Sequence, residues 1–358
     1  MNKKILHITT HFHPFIGGLE NMVFDLAQAQ SKKNEVVILT LKHDKLLLDE
    51  EIINGVKIYR FPCLTVIKNQ YLWPKFGFSK KINEINPDVV FTHTRFFATS
   101  FFAQKNAKNC KKIHVEHGQD FVKSKNIFIK IMARIFDQFF GKFILKSSDK
   151  IVVLGEEGSS FVKKLSGRKN DIFIIPNGVK IPKITKKIPR KNRAMFFGRI
   201  IREKGIGEIV EAAKKCPNWQ FDIYGEGKQD YKITRGQGNK IRNNIKFFGT
   251  VAHQVIQEKI QEADLVILPS WSEGNSLAIL EAAASARAII ATPVGQNQVI
   301  VSPNWIVPVG DHVLLSQKLK ELEGRWDTLE RAGIENQERV KKNYSFEKMI
   351  KAYEALLV

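Results

Sequence analysis

The sequence predicts an α/β protein of two successive domains, each a mostly parallel sheet covered on both faces by helices. Three observations carry that prediction. Short β-branched or apolar runs alternate with helical patterns along nearly the whole chain, the signature of strand–helix–strand units. The alternation comes as two series, separated by a basic, proline-containing run at 177–193. At 358 residues, each series has enough chain to bury its own core.

The first series opens with a strand at 4–10, a loop His11-Phe-His-Pro-Phe-Ile-Gly17-Gly18, and an amphipathic helix from Leu19 to Gln30. Gly17 and Gly18 let backbone approach a ligand closely at that helix start. The dinucleotide spacing G-x-G-x-x-G is absent. His11 and His13 have a metal-ligand spacing but no third ligand nearby, so they are read as ordinary loop residues. Strand-like runs recur at 35–41, 56–61, 88–92, 112–116, 150–154 and 172–175, the second of them after an Asn54-Gly55 turn. Ligands of such sheets bind beyond the carboxyl ends of the strands, where His117-Gly118 falls after 112–116. The turn Pro176-Asn-Gly-Val179 closes the series.

The second series runs through strands at 194–197, 220–224, 245–247, 264–268 and 288–291, with helices at 206–215 and 253–262. Its first strand ends in Phe197-Gly198-Arg199, and Lys204-Gly205 closes the loop before the helix. Arg199 and Lys204 bracket that loop and have the reach and charge to hold a diphosphate, most usefully one that leaves with developing negative charge. Tyr224-Gly225-Glu-Gly227 ends the next strand and leaves room for a base or ribose.

The most informative stretch is Leu268-Pro-Ser-Trp-Ser-Glu273-Gly-Asn275-Ser276-Leu277-Ala-Ile-Leu-Glu281. A buried strand passes through a polar loop into an Ala/Leu-rich helix at about 276–286, and such a helix start suits a phosphate. Glu273 and Glu281 bracket it. If every step between them were helical they would stand roughly 12 Å apart along the axis. A hydrolase's carboxyl pair stands about 5–9.5 Å apart across one bond. Two separate hydroxyl-binding roles fit better than shared work on one bond, which argues against a glycosidase.

Composition narrows the class. Three scattered cysteines, Cys63, Cys110 and Cys216, point to a reducing compartment without a disulfide framework. The start of the chain has no signal-peptide pattern, and no run is long and apolar enough to span a bilayer. The net charge of +21 is unevenly spread: +12 over 1–176, +7 over 177–193 and +2 beyond. A basic first half suggests a polyanionic neighbour, nucleic acid or an anionic lipid surface. No nucleic-acid motif accompanies it. The segment 70–81 mixes aromatics around Trp73 with Lys75, Lys80 and Lys81, and suits a membrane interface. The segment Lys123–Lys146, with recurring Ile, Met and Phe among basic residues, fits the same role and equally fits a core helix.

Taken together, these residues resemble the retaining glycosyltransferases of GT-B type, family 4 (glycosyl transferases group 1). The resemblance rests on Gly17-Gly18, His117-Gly118, Pro176-Asn-Gly-Val179, Gly198-Arg199 with Glu203-Lys-Gly205, Gly225-Glu-Gly227, and the E-x7-E pair Glu273 and Glu281. It implies two Rossmann-like domains facing a central cleft: an acceptor-binding domain at 1–176, a basic linker at 177–193 and a nucleotide-sugar-binding domain at 194–342. The terminal helix at 343–358 would cross back to the first domain.

The resemblance also implies roles. Arg199 and Lys204 would hold the diphosphate, Glu273 would contact the donor sugar, and Glu281 would bind the ribose. The amides of Asn275, Ser276 and Leu277 would lie near the phosphates, with Gly225 at the donor pocket. His117 would sit beside the sugar, and Gly17 with Gly18 would approach the diphosphate. Val294-Gly-Gln-Asn297 departs from the family's usual Gly-Gly, as do Asn275 and Ser276 from its commoner aromatic-Gly form. Both departures bear on which sugar is used.

The expected function is a metal-independent hexosyltransferase that moves a sugar from an NDP-sugar, with UDP as the expected nucleotide and no cofactor. The acceptor would be a polysaccharide or lipid-linked glycan of the cell surface. Its place would be the cytoplasm, peripheral on the inner face of the plasma membrane, with no nucleic-acid partner. A nucleotide-sugar epimerase on the same fold, or a non-catalytic basic binding protein, is the alternative.

Overall fold

A computed structural model describes residues 2–15, 17–67, 71–121, 127–184, 188–227, 243–273 and 276–358. The chain divides into two compact units, residues 1–176 with 350–358, and residues 177–349.

The first unit is built on an eight-stranded sheet. Its strands are β1 (Lys4–Ile8), β2 (Glu35–Leu41), β3 (Glu50–Ile53), β4 (Val56–Phe61), β7 (Val89–His93), β8 (Lys111–Glu116), β9 (Lys150–Val153) and β10 (Ile172–Ile174). Their order is β10-β9-β8-β7-β1-β2-β4-β3. All neighbours are parallel except the hairpin β3–β4 at one edge, which turns through Asn54 and Gly55. β7 is buried at every position, as a strand covered on both faces must be. A separate ribbon pairs β5 (Cys63–Ile67) with β6 (Tyr71–Pro74). The sequence order reverses at β1, between β2 and β7, so the loops leaving β1 and β7 lie at the switch point where open α/β sheets take ligands.

Residues 350–358 pack into this unit. Tyr353 is buried with its ring 6.1 Å from Phe91, and Lys3, Lys111 and Lys150 donate to the last carbonyls, at Leu356, Leu357 and Val358. The terminal helix, Phe346–Ala355, thus begins in the second unit and ends in the first.

The second unit holds a five-stranded, all-parallel sheet of β11 (Arg193–Phe197), β12 (Gln220–Tyr224), β13 (Ile245–Phe247), β14 (Leu265–Leu268) and β15 (Ala288–Ala291), in the order β13-β12-β11-β14-β15. Its switch point lies between β11 and β14. One hydrophobic cluster runs through it, from Met195 and Phe221 to Ile267, Leu280 and Leu319.

The run at 177–193 reads as a linker by composition, but in the structure it belongs to the second unit. The buried Asp264 carboxylate accepts from the backbone amides of Arg190, Lys191 and Arg193 at 2.7–2.9 Å. Val179 forms a parallel bridge with Ser345. An acceptor buried ahead of β14 needs donors, and this basic run supplies them from its main chain.

The segment 70–81 is divided between core and surface. Leu72 and Phe78 are buried in the core of the first unit, and Trp73 sits edge-on to Phe102 at 5.5 Å. Among its described side chains, Phe76 stands fully in solvent and Trp73 is 39% exposed. Gln70 lies outside the described residues.

Candidate functional site

The second unit brings two of the expected site residues into contact. Lys204 ends a short 3-10 turn, Arg202–Lys204, in the loop after β11. Glu273 lies in the loop after β14. The Lys204 ammonium pairs with Glu273 Oε1 at 2.6 Å, and the same oxygen accepts from Ser270 Oγ at 2.8 Å. The pair therefore spans the switch point between β11 and β14.

Backbone contacts hold the two loops together. Trp271 N–H donates to the Glu203 carbonyl at 2.8 Å. Gly205 has φ +73, and a Cβ there would overlap the Pro269 carbonyl, so a side chain would push the loops apart. The Trp271 indole N–H donates to Glu208 at 2.9 Å, and Arg202 lies over the Trp271 ring at 5.3 Å. Arg202 is thus stacked on an aromatic face.

Arg199 stands exposed one residue beyond Gly198, and among the described residues its guanidinium has no partner. It remains at the carboxyl edge of the sheet with its charge unspent. Gly225 has a packing reason to be glycine. With φ +129, it lies so close to the first loop that a Cβ would overlap the Gly198 carbonyl. Gly198 N–H donates to the Tyr224 carbonyl at 3.0 Å, and Ile200 N–H to that of Glu226 at 2.9 Å. Gly225 therefore zips the ends of β11 and β12 together.

Glu281 sits on the helix Leu277–Ala284 and is engaged separately from Glu273. Its Oε1 is 2.9 Å from His253 Nε2, at the start of the helix His253–Gln261. Ser276 is the buried N-cap residue of the Glu281 helix, with its hydroxyl not used as a cap, and Leu277 opens the helix. Gly274 and Asn275 lie outside the described residues. Asn297, in the departure from the family pattern, is fully buried and donates to the Thr292 carbonyl at 3.0 Å.

In the first unit, His117 follows β8 at the end of a row of imidazoles. Gln30 Oε1 lies 2.7 Å from His7 Nε2, His7 Nδ1 lies 3.2 Å from His93 Nε2, and His93 Nδ1 lies 3.5 Å from His117 Nε2. A carbonyl oxygen only accepts, so His7 carries its proton on Nε2. A row of neutral rings then donates inward at each step, leaving Nδ1 of His117 as an acceptor. Burial keeps the rings neutral: it lowers the pKa of His7 and His117 to about 4, and that of His93 further.

Beside this row is an ionic cluster that no sequence spacing announced. Arg95, in the loop after β7, pairs with Glu116 at 3.0 Å and Asp137 at 2.7 Å, all three buried. Its second Nη donates to the Asp120 carbonyl at 3.0 Å. Burial works to raise the pKa of Glu116, but Arg95, His114 and the Gly118 amide outweigh it and hold the carboxyl at about 2. Burial prevails at Asp137, whose pKa is raised despite the Arg95 contact. The charge of one guanidinium is shared unequally between two carboxylates.

Gly17 is the extended N-cap residue of the helix Gly18–Gln30, and Gly18 is its first residue. The Glu20 carboxylate folds back against Gly17, where a Cβ would strike it. Among the described residues, no group of three His, Cys, Asp or Glu side chains could hold a metal ion.

The comparisons with known proteins agree with this layout. The model of Glycosyltransferase Family 4 matches residues 16–181, and that of Glycosyl transferases group 1 matches 191–324. The chain belongs to the family 4 glycosyltransferases. An uncharacterised glycosyltransferase of Methanocaldococcus jannaschii is 27% identical, covering 99% of this chain and 97% of its own. The O-antigen chain mannosyltransferase C of Escherichia coli is 21% identical over 98% of this chain and 96% of its own.

Among solved structures, the sucrose-phosphate synthase of Thermosynechococcus elongatus superposes with a TM-score of 0.81 at 19% identity, covering 99% of this chain and 98% of that one. Anabaena HepE, solved with UDP-glucose, gives 0.78 at 16% identity over 99% of both chains. The architecture is GT-B, and the chain is a glycosyltransferase.

Proposed function

We infer that this glycosyltransferase moves a hexose from a UDP-sugar to a polysaccharide or lipid-linked glycan acceptor, with retention of configuration and without a metal. The observation that carries the reading is the Lys204–Glu273 pair at the switch point of the second sheet, with Arg199 exposed at the same carboxyl edge and without a partner among the described residues. A mobile ammonium can leave its carboxylate for a diphosphate, and the freed carboxylate then accepts from sugar hydroxyls. UDP-glucose in HepE supports the choice of nucleotide, and the O-antigen chain mannosyltransferase of Escherichia coli among the relatives supports a surface glycan as acceptor.

In this reading the bond from the anomeric carbon to the β-phosphate oxygen breaks while a bond to the acceptor oxygen forms on the same face. The acceptor's proton passes to the leaving phosphate. Arg199 and Lys204 stabilise the charge that develops there, which is where fixed cations accelerate most. Glu281, already hydrogen-bonded to His253, binds the ribose, and His117 presents an acceptor nitrogen toward the sugar. The helix start at Ser276 and Leu277 adds amide donors.

A panel of UDP-, GDP- and ADP-sugars tests the reading by thermal shift and by transfer to glycan acceptors in the presence of a chelator. Stabilisation by the UDP series, with chelator-resistant transfer that yields the donor's own anomeric configuration, is the expected result. Stabilisation by another nucleotide series alone, or an inverted product, would overturn the donor or the stereochemical assignment respectively.

A further inference from the structure

The helical stretch 127–147 presents an apolar face to solvent. It comprises the helix Ile127–Phe136, a π-helical turn Asp137–Gly141 and the helix Lys142–Ser147. Ile127, Phe128 and Phe139 are 66%, 68% and 70% exposed, and Ile131, Met132, Ile135 and Phe143 are exposed as well. From Phe128 on these residues recur at three- or four-residue spacing, so they share one side. The opposite side is anchored in the first unit. Asp137 is buried against Arg95, Phe136 and Phe140 stack at 5.0 Å, and Ile144 and Leu145 are fully buried. About half of seven large side chains stays in water. At roughly 200 Å² apiece that is on the order of 700 Å², more than a soluble monomer ordinarily leaves uncovered.

The charges on this stretch have one sign. Lys130, Arg134, Lys142 and Lys146 accompany the apolar face, and Asp137, the one acid between 121 and 148, is buried in its pair. Two copies of this chain meeting through the face would bring those cations together, which disfavours a symmetric dimer. Among the described residues, no helix is long and apolar enough to cross a membrane. An exposed apolar stripe on a stretch whose exposed charges are all cationic matches a helix lying in the plane of an anionic bilayer.

We propose that residues 127–147 dock the protein on an anionic phospholipid surface, the apolar stripe entering the headgroup boundary and the four cations facing lipid phosphates. Docking there places the first unit on the surface that carries lipid-linked molecules. The proposal is independent of the donor assignment, because lipid binding is measured without turnover.

The test is co-sedimentation of the full chain with phosphatidylcholine vesicles, with and without about 30 mol% phosphatidylglycerol, at roughly 0.1 M salt. The chain is expected to pellet with the anionic vesicles and to dissociate as salt rises. Ile131→Ser with Ile135→Ser is expected to weaken partitioning tenfold or more, and Lys130→Ser with Lys146→Ser severalfold. Phe76→Ser, an exposed aromatic elsewhere, should change nothing. Unchanged melting temperatures show that the variants fold, as exposed positions allow. Three results would overturn the proposal: no preference for anionic vesicles, wild-type partitioning by the Ile131/Ile135 variant, or a wild-type dimer in sedimentation velocity that this variant makes monomeric.

Discussion

The two units hold their charged groups in opposite ways. In the first, Arg95, Glu116 and Asp137 are sealed from solvent, and the row Gln30–His7–His93 is buried up to His117. In the second, the Lys204, Glu281 and His253 side chains are 21%, 16% and 48% exposed, the 9%-exposed Glu273 accepts from both Lys204 and Ser270, and Arg199 is exposed. Buried charges with all their partners in place fix geometry, and removing one partner is costly. Charges that keep contact with solvent can exchange a partner for a ligand. The comparison separates a sealed framework in the first unit, around His117 and the loop after β7, from more accessible charged groups in the second.

Substitutions break that distinction in a predictable order. The largest effect is on activity alone: Glu273→Ala or Lys204→Ala should lower the transfer rate about 10²–10³-fold with little change in melting temperature. Initial rates and a thermal melt on the same preparations check both halves of that statement. Arg95→Met should act the other way round, destabilising the fold by about 3–5 kcal/mol because two buried carboxylates lose their cation. Denaturant unfolding measures it. Gly225→Ala should cost about 1–3 kcal/mol, since a Cβ at positive φ overlaps the Gly198 carbonyl. A loss of that size in the same unfolding assay, with a weakened UDP response, would show that this glycine joins the loops after β11 and β12.

The buried imidazoles make a pH prediction. The folded pKa of His7 and His117 is about 4, below the ordinary 6.5, so the unfolded chain binds more protons between those values. Stability is therefore full above pH 6.5 and falls as pH drops toward 4. Melting temperature against pH should show that slope, and His117→Asn should flatten it. The smallest effect belongs to His253→Ala, which removes a half-exposed partner of Glu281. A change of about two- to fivefold in UDP affinity is expected, measured by calorimetry.

Much of the architecture was legible because the parallel strands are continuous apolar runs, as in Leu265–Leu268, with glycine-containing loops at their carboxyl ends. The Lys204–Glu273 contact was legible as two loop residues after two strands, though not as a direct pair. β3 was not seen, because Glu50-Glu-Ile-Ile lacks an apolar run and is made a strand by its hairpin partner. The Arg95 cluster left no local signature: its members come from the end of β7, the end of β8 and a helical turn, and only the sheet register brings them together. His253 and Glu281 meet across 28 residues for the same reason.

The two candidate interfacial segments were distinguished only by which side of each element faces the core. The mixture of aromatics and lysines at 70–81 is equally what a strand and helix with one side in the core require. At 127–147 the apolar residues outnumber the positions that can face inward.

The central claim is that the donor diphosphate is held in the second unit by Lys204 and Arg199. Calorimetric titration of UDP into the full chain tests it most directly, comparing wild type with Lys204→Ala, Arg199→Ala and His117→Asn. The account predicts that the first two weaken UDP binding at least tenfold and that His117→Asn, assigned to the sugar rather than to the diphosphate under the proposed function, leaves it nearly unchanged. Wild-type UDP affinity in both cation variants would contradict it.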